Sequence, residues 1–120
     1  MCGIAGIFSS GPEKKTKLEK MLSKLHHRGP DEDGLFYSQE FCSGIKRLSI
    51  NDLTGGSQPL FNRDRSVSVV YNGEIYNYFK LRKFLENKKY KFRTNSDGEV
   101  IAHLYDEVGE KVFDYLDGMF

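Results

Sequence analysis

Cysteine is scarce in this 120-residue chain, which contains only Cys2 and Cys42. Without CxxC spacing, the pair indicates neither a disulfide framework nor a structural zinc site. An excess of charge is also missing, because 18 basic and 17 acidic residues leave a net charge of +1. A nucleic-acid partner is therefore not expected. No apolar run approaches the ~20 residues of a membrane span and no signal peptide is recognisable, so we expect a soluble cytoplasmic protein without a membrane partner.

Apolar residues recur with strand or helix spacing along most of the chain. We predict strands at 3–8, 35–38, 41–50 and 67–71, and helices at 13–25, 77–89 and 98–109, followed by a short helix in 110–116. In the first strand Ile4, Ile7 and Phe8 suit burial. Residues 26–34 and 51–65 are rich in Gly, Pro and polar side chains and predict loops. This order favours a layered α+β domain.

Cys2 directly follows the initiator methionine. If Met1 is removed, the thiol and a free α-amine lie on one residue, and the amine, with a pKa of about 7.7–8.0, can act as the base for the thiol near neutral pH. Such an N-terminal nucleophile needs no histidine. The alternative is that Met-Cys is a chance beginning of the chain.

Four further residues offer groups for binding a small polar substrate. Asn72 and Gly73 follow a strand and present a side-chain and a backbone N–H, as in an oxyanion hole, although a turn with positive φ is the alternative. Arg47 ends a strand and could bind a carboxylate, whereas Asp97 begins a helix and could bind an ammonium group. For the helix start, an N-cap formed by Ser96 or Asp97 is the simpler interpretation.

The histidines His26, His27 and His103 do not predict a metal site, because no acidic or cysteine ligands recur beside them at metal spacing. Cys42 lies in an apolar stretch and is expected to be a core residue.

Seven short motifs occur in order along positions 2–120. They are MCGIAGIF, HHRGPD, KRLSIND, QPLFN, YNGEIYN, NSDGEVI and LDGMF. Together they resemble the class II glutamine amidotransferases, and within that family the glutaminase domain of the asparagine synthetases. The resemblance implies an N-terminal nucleophile hydrolase fold of four αββα layers with antiparallel sheets. It also implies that residues 1–120 are the first portion of that glutaminase domain, with later strands missing and an apolar face bare.

The resemblance implies hydrolysis of the glutamine side-chain amide to glutamate and ammonia through a thioester on Cys2. Asn72 and Gly73 match the oxyanion-hole positions, and Arg28 and Asp31 match a loop that organises the site. The residues that match the glutamine-binding positions are Arg47 for the carboxylate, Glu74 and Asp97 for the ammonium group, and the pocket segment Leu48, Ser49, Ile50 and Asn51, together with Asn72 and Gly73.

In the asparagine synthetases this domain, which needs no cofactor, is followed by a synthetase domain that uses ATP and Mg to convert aspartate to asparagine. The resemblance thus implies L-glutamine and a C-terminal synthetase domain as partners, and it leaves a homodimer open. Two alternatives stay open as well. One is a class II amidotransferase with a sugar or sugar-phosphate acceptor, and the other is a glutamine-binding module without catalysis.

Overall fold

A computed structural model describes residues 2–49 and 56–120 of the chain. It contains helices together with antiparallel sheets, which agrees with the predicted α+β class. The chain divides into two units. The first contains residues 2–49, 57–59 and 70–72, and the second contains residues 56, 60–69 and 73–120.

The first unit is a three-stranded antiparallel sheet with one helix. Its elements are β1 (Gly3–Phe8), α1 (Lys14–Lys24), a 3-10 turn (His26–Arg28), β2 (Glu32–Tyr37) and β3 (Phe41–Arg47). β3 lies in the centre of the sheet, between β1 and β2. Leu18 and Leu22 lie one turn apart on α1 and pack against Cys42, with Ala5 and Ile7 beside them. Cys42 is fully buried, which confirms its predicted place in the core.

The second unit contains short strand pairs and three helices. Its elements are β4 (Leu60–Phe61), β5 (Ser68–Val69), β6 (Glu74–Ile75), α2 (Tyr78–Asn87), α3 (Glu99–Val108), α4 (Val112–Tyr115) and β7 (Gly118–Met119). β4 pairs with β5 and β6 pairs with β7, both antiparallel. Leu81, Leu85, Val100 and Leu104 are buried on α2 and α3. α3 ends at Val108 and is followed by the C-cap residue Gly109, whose φ of 62° is strained for residues with a Cβ.

Several sequence-based boundaries differ from the structure. β2 begins at Glu32, inside the predicted loop 26–34. The predicted connection 51–65 contains β4, while its residues 51–55 lie outside the described residues. The strand predicted at 67–71 is reduced to two residues in β5. β4 and β5 have two residues each, which is too few for a periodic pattern, and they are defined by their pairing with each other.

The expected burial of Ile4 and Phe8 was wrong. Ile4 is 47% and Phe8 80% exposed. Successive side chains of a strand point to opposite faces, and α1 covers only the face of β1 that carries Ala5 and Ile7. A second face of the first sheet therefore presents apolar side chains to solvent.

Candidate functional site

The sulfur of Cys2 lies beside the backbone of Leu48. β1 pairs with β3 in a register that places Gly3 opposite Lys46, which brings the segment after β3 next to residue 2. The Leu48 N–H donates to Cys2 Sγ at 3.4 Å, and the thiol in turn donates to the Leu48 carbonyl at 3.8 Å. The backbone of Leu48 thus fixes the position of the Cys2 sulfur through both its N–H and its carbonyl group.

The main chain of Cys2 is held on both sides by distant side chains. Its nitrogen, a peptide N–H in the translated chain, donates to Asn72 Oδ1 at 2.8 Å. Removal of Met1 would turn this nitrogen into the α-amine. The Arg28 Nε–H donates to the Cys2 carbonyl at 3.0 Å. Residue 2 is thus oriented by segments 26 and 70 positions further along the chain.

The loop before β2 is tied to the segment after β3. Asp31 donates its N–H to the Arg47 carbonyl at 3.1 Å, and its Oδ2 accepts the Ser49 N–H at 2.8 Å. A Cβ on Gly29 would lie 2.1 Å from the Lys46 carbonyl oxygen, so only glycine fits here without moving β3. The loop and the segment are thus bonded to each other, and each also contacts Cys2, through Arg28 and Leu48.

Arg47 is the last residue of β3 and is only 5% exposed. Its Nη1 donates to Glu32 Oε2 at 2.8 Å, directly across the β2–β3 ladder. Burial raises the pKa of Glu32, but hydrogen bonds from Ser57 and Arg47 outweigh it and hold this pKa below its usual value. The guanidinium carries five N–H groups, and the contact with Glu32 involves one of its nitrogens.

Asn72 and Gly73 do not form the turn with positive φ that we considered, since neither residue has a positive φ. Glycine is required at position 73 because of a close approach of two backbone segments. A Cβ on Gly73 would lie 2.1 Å from the Met119 carbonyl oxygen in β7. The preceding Tyr71 exchanges two hydrogen bonds with the Gln58 side chain, at 3.0 and 2.7 Å. Gln58 therefore replaces a strand partner and holds the backbone that leads to Asn72.

Asp97 is bonded to the segment that follows Glu74. Its Oδ2 accepts the Ile75 N–H at 2.7 Å. Our N-cap interpretation of Ser96 or Asp97 was wrong, because Gly98 is the N-cap residue of α3 and no side chain caps this helix. The carboxylate of Asp97 instead links the beginning of α3 to β6, next to the exposed Glu74.

Glu99 and His103 form a buried polar pair on α3 that the sequence did not reveal. They are 2% exposed each, and His103 Nε2 lies 3.3 Å from Glu99 Oε1. Burial raises the pKa of Glu99, but hydrogen bonds from His103, Thr94 and the Arg93 and Thr94 backbone lower it further, to about 2. The available signal was the Glu-x-x-x-His spacing, which places both residues on one helix face.

The glutamine amidotransferase domain model matches residues 1–120 of the chain. The chain belongs to this family. It is 47% identical to asparagine synthetase [glutamine-hydrolyzing] 2 of Arabidopsis thaliana and 46% identical to the asparagine synthetase [glutamine-hydrolyzing] of Zea mays. Each alignment covers 100% of this chain and 21% of the relative, so the chain spans about a fifth of these proteins. The resemblance inferred from the seven motifs is confirmed.

Within this amidotransferase chain, the first unit brings together three of the predicted site residues, namely Cys2, Leu48 and Asn72. Ser49 is bonded to Asp31 in the same unit. In the second unit Asp97 contacts the residue after Glu74. Ile50 and Asn51 lie outside the described residues.

The described part of this amidotransferase contains no group of three or more His, Cys, Asp or Glu side chains arranged to hold a metal ion. Within residues 2–49 and 56–120, no helix has the length and apolarity needed to cross a bilayer.

Proposed function

We propose that this protein hydrolyses the side-chain amide of L-glutamine to glutamate and ammonia, with Cys2 as the nucleophile of an N-terminal nucleophile hydrolase fold. The observation that carries the proposal is the environment of residue 2. Its nitrogen lies 2.8 Å from Asn72 Oδ1 and its sulfur 3.4 Å from the Leu48 N–H. Both groups that the chemistry needs are thereby oriented on a single residue.

In the proposed reaction the α-amine exposed by loss of Met1 accepts the thiol proton through a water molecule. The Cys2 sulfur forms a bond to the amide carbon, and the Asn72 side-chain N–H and the Gly73 backbone N–H bind the oxyanion. The proton passes to the leaving nitrogen, the C–N bond breaks and ammonia departs. Water then attacks the thioester, which releases glutamate and restores the thiol.

Binding of the substrate follows from charge complementarity. We assign Arg47 to the α-carboxylate and Glu74 and Asp97 to the α-ammonium group of glutamine. Leu48, Ser49, Ile50 and Asn51 line the pocket in this proposal. The tight ion pair of Arg47 with Glu32 supports it, because a buried guanidinium with a fixed partner is already oriented before substrate arrives.

The ammonia acceptor is proposed from similarity alone. The relatives are named glutamine-hydrolysing asparagine synthetases. We propose that the parent protein passes the ammonia to aspartate in an ATP- and Mg-dependent synthetase domain, which forms asparagine. Formation of asparagine from glutamine, aspartate and ATP by the full-length protein would support this assignment, and its absence would contradict it.

Replacement of the nucleophile tests the hydrolysis itself. In the full-length protein we expect Cys2→Ala to abolish ammonia release from glutamine, whereas Cys42→Ala, which changes the buried cysteine of the core, retains it. Intact mass should show loss of Met1 and one adduct after treatment with an electrophilic glutamine analogue. Undiminished ammonia release by Cys2→Ala, or full activity with Met1 retained, would overturn the mechanism.

A further inference from the structure

The buried carboxylate of Glu99 accepts hydrogen bonds from the segment that leads to Asp97, while Arg82 Nη1 donates to the Thr94 carbonyl of the same segment at 2.9 Å. Glu99 Oε1 accepts the Arg93 N–H at 2.8 Å, and Oε2 accepts the Thr94 N–H at 2.8 Å and the Thr94 hydroxyl at 2.6 Å. Glu99 also lies in the first turn of α3, where the helix dipole favours negative charge. A helix residue thus organises the loop immediately before its own helix.

His103 contacts the carboxylate oxygen that also accepts the Arg93 N–H. Its Nε2 approaches Glu99 Oε1, and its ring lies 5.5 Å from the ring of Tyr90 and 4.8 Å from that of Phe92. Its Nδ1 is buried and has no hydrogen-bond partner among the described residues. With these two aromatic rings beside it, the buried imidazole adds a further contact to the Glu99 carboxylate and limits its rotation.

Hydrogen bonds connect Glu99 with Ser96, the residue directly before Asp97. The Thr94 hydroxyl donates to Glu99 and accepts the Ser96 N–H at 3.1 Å. Asp97 follows directly, and its carboxylate accepts the Ile75 N–H at 2.7 Å. The direction of the Asp97 side chain therefore depends on a loop whose backbone is bonded to Glu99.

We propose that Glu99 is a positioning residue that orients the Asp97 carboxylate for the α-ammonium group of glutamine. This inference rests on the proposed function and extends it to a residue without its own substrate contact. The role requires a carboxylate, because both oxygens accept hydrogen bonds, two of them on Oε2. A glutamine side chain offers only one accepting oxygen, so at least one loop contact would be lost.

Discrimination between two substrates separates positioning from mere stability. 4-Carbamoylbutanoate is glutamine without its α-ammonium group, and it retains the amide and the carboxylate. In the full-length protein, we expect Glu99→Gln to lower the ratio of kcat/KM for glutamine to that for 4-carbamoylbutanoate by roughly tenfold, through a higher KM for glutamine. Asp97→Asn should lower the same ratio at least as much.

Two further variants complete the test. One is a matched control for Glu99→Gln, and the other tests the same hydrogen bonds if Glu99→Gln does not fold. Glu110→Gln makes the same chemical change at an exposed position just after α3 and should leave the ratio unchanged. Thr94→Val removes only the hydroxyl between Glu99 and Ser96 and should lower the ratio less than Glu99→Gln does. Circular dichroism establishes that each variant is folded, and Thr94→Val provides the test if Glu99→Gln does not fold.

The outcomes distinguish this inference from the function on which it rests. Suppose that Asp97→Asn lowers the ratio but folded Glu99→Gln leaves it unchanged. Glu99 then has no positioning role. The same conclusion follows from an unchanged ratio in Thr94→Val when Glu99→Gln does not fold. Equal losses with both substrates in Glu99→Gln also contradict positioning. If the wild-type protein hydrolyses neither substrate, or if Asp97→Asn leaves the ratio unchanged, the proposed function of these residues fails and the inference fails with it.

Discussion

In the proposed mechanism Asn72 combines two tasks in one side-chain amide. Its oxygen accepts a hydrogen bond from the Cys2 nitrogen at 2.8 Å, which uses the acceptor end of the group. An oxyanion hole requires a donor, and the amide carries its two N–H groups on the other terminal atom. Fixing the oxygen therefore also fixes the direction of the N–H groups. The single residue couples orientation of the nucleophile to the proposed stabilisation of the oxyanion.

Asn72→Asp separates these two tasks. Aspartate retains an oxygen for the Cys2 nitrogen but lacks the N–H groups, so we expect kcat for glutamine hydrolysis to fall by about 10²- to 10³-fold. Labelling of Cys2 by an alkylating reagent should persist, because it forms no oxyanion. Steady-state kinetics and mass spectrometry provide the two measurements. A kcat close to that of the wild type would show that Asn72 only holds the nitrogen.

At the scale of elements, α3 contributes both to the core and to the candidate site. Its Val100 and Leu104 are fully buried, and the same helix buries Glu99 and His103. The burial of a charged residue is costly unless hydrogen bonds replace its water. Glu99 meets this requirement through the Arg93 and Thr94 backbone, so the folding of the loop and the helix is coupled.

The lowered pKa of Glu99 predicts a loss of stability in acid. In the folded protein this pKa is about 2, against 4.5 for the ordinary group, so the folded state binds the proton less readily than the unfolded state. The stabilisation is complete above about pH 4.5 and disappears as the pH falls to about 2. The difference corresponds to roughly 3 kcal/mol in the free energy of unfolding.

Urea unfolding of the wild type and Glu99→Gln between pH 5 and pH 2 measures this effect. Glu99→Gln should be less stable at pH 5 but lose less stability on acidification. Glu32 and Glu107, whose pKa values are also lowered, are present in both proteins and cancel in the comparison. Parallel curves for the two proteins would contradict the assignment.

At the scale of the whole molecule, exposed apolar side chains are combined with a small net charge. The net charge of +1 provides little mutual repulsion between copies. At the same time several phenylalanines are largely exposed, with Phe8 at 80%, Phe79 at 71%, Phe113 at 67% and Phe120 at 61%. Apolar groups on this scale mark surfaces that associate with other surfaces.

We therefore expect the 120-residue chain to self-associate in solution. Its sedimentation coefficient should rise with concentration, and the double change Phe8→Ser with Phe120→Ser should reduce the rise. Sodium sulfate should strengthen the association, because it favours apolar contacts, whereas association through charges would weaken with salt. A monomer at all concentrations would refute the prediction.

The sequence predicted the helices of this protein better than its short strands. The helices α1, α2 and α3 were recognisable because three or more apolar residues repeat within each of them, and helix formation depends on neighbours in sequence. β4 to β7 have two residues each, which is too short for a pattern. Periodicity identifies the apolar face of a helix but not how much of that face is covered, so it could not predict the exposure of Met21 and Phe113.

The sequence by itself determined the family and supplied the candidate site residues, since motifs such as MCGIAGIF and YNGEIYN require only the order of side chains. Tertiary structure alone decided which groups meet. The Cys2 nitrogen reaches Asn72 across 70 positions, and Asp97 reaches Ile75 across 22. Burial of Glu99 was decided in the same way. Hydrogen-bond partners and burial depend on the path of the chain in space, which local composition does not encode.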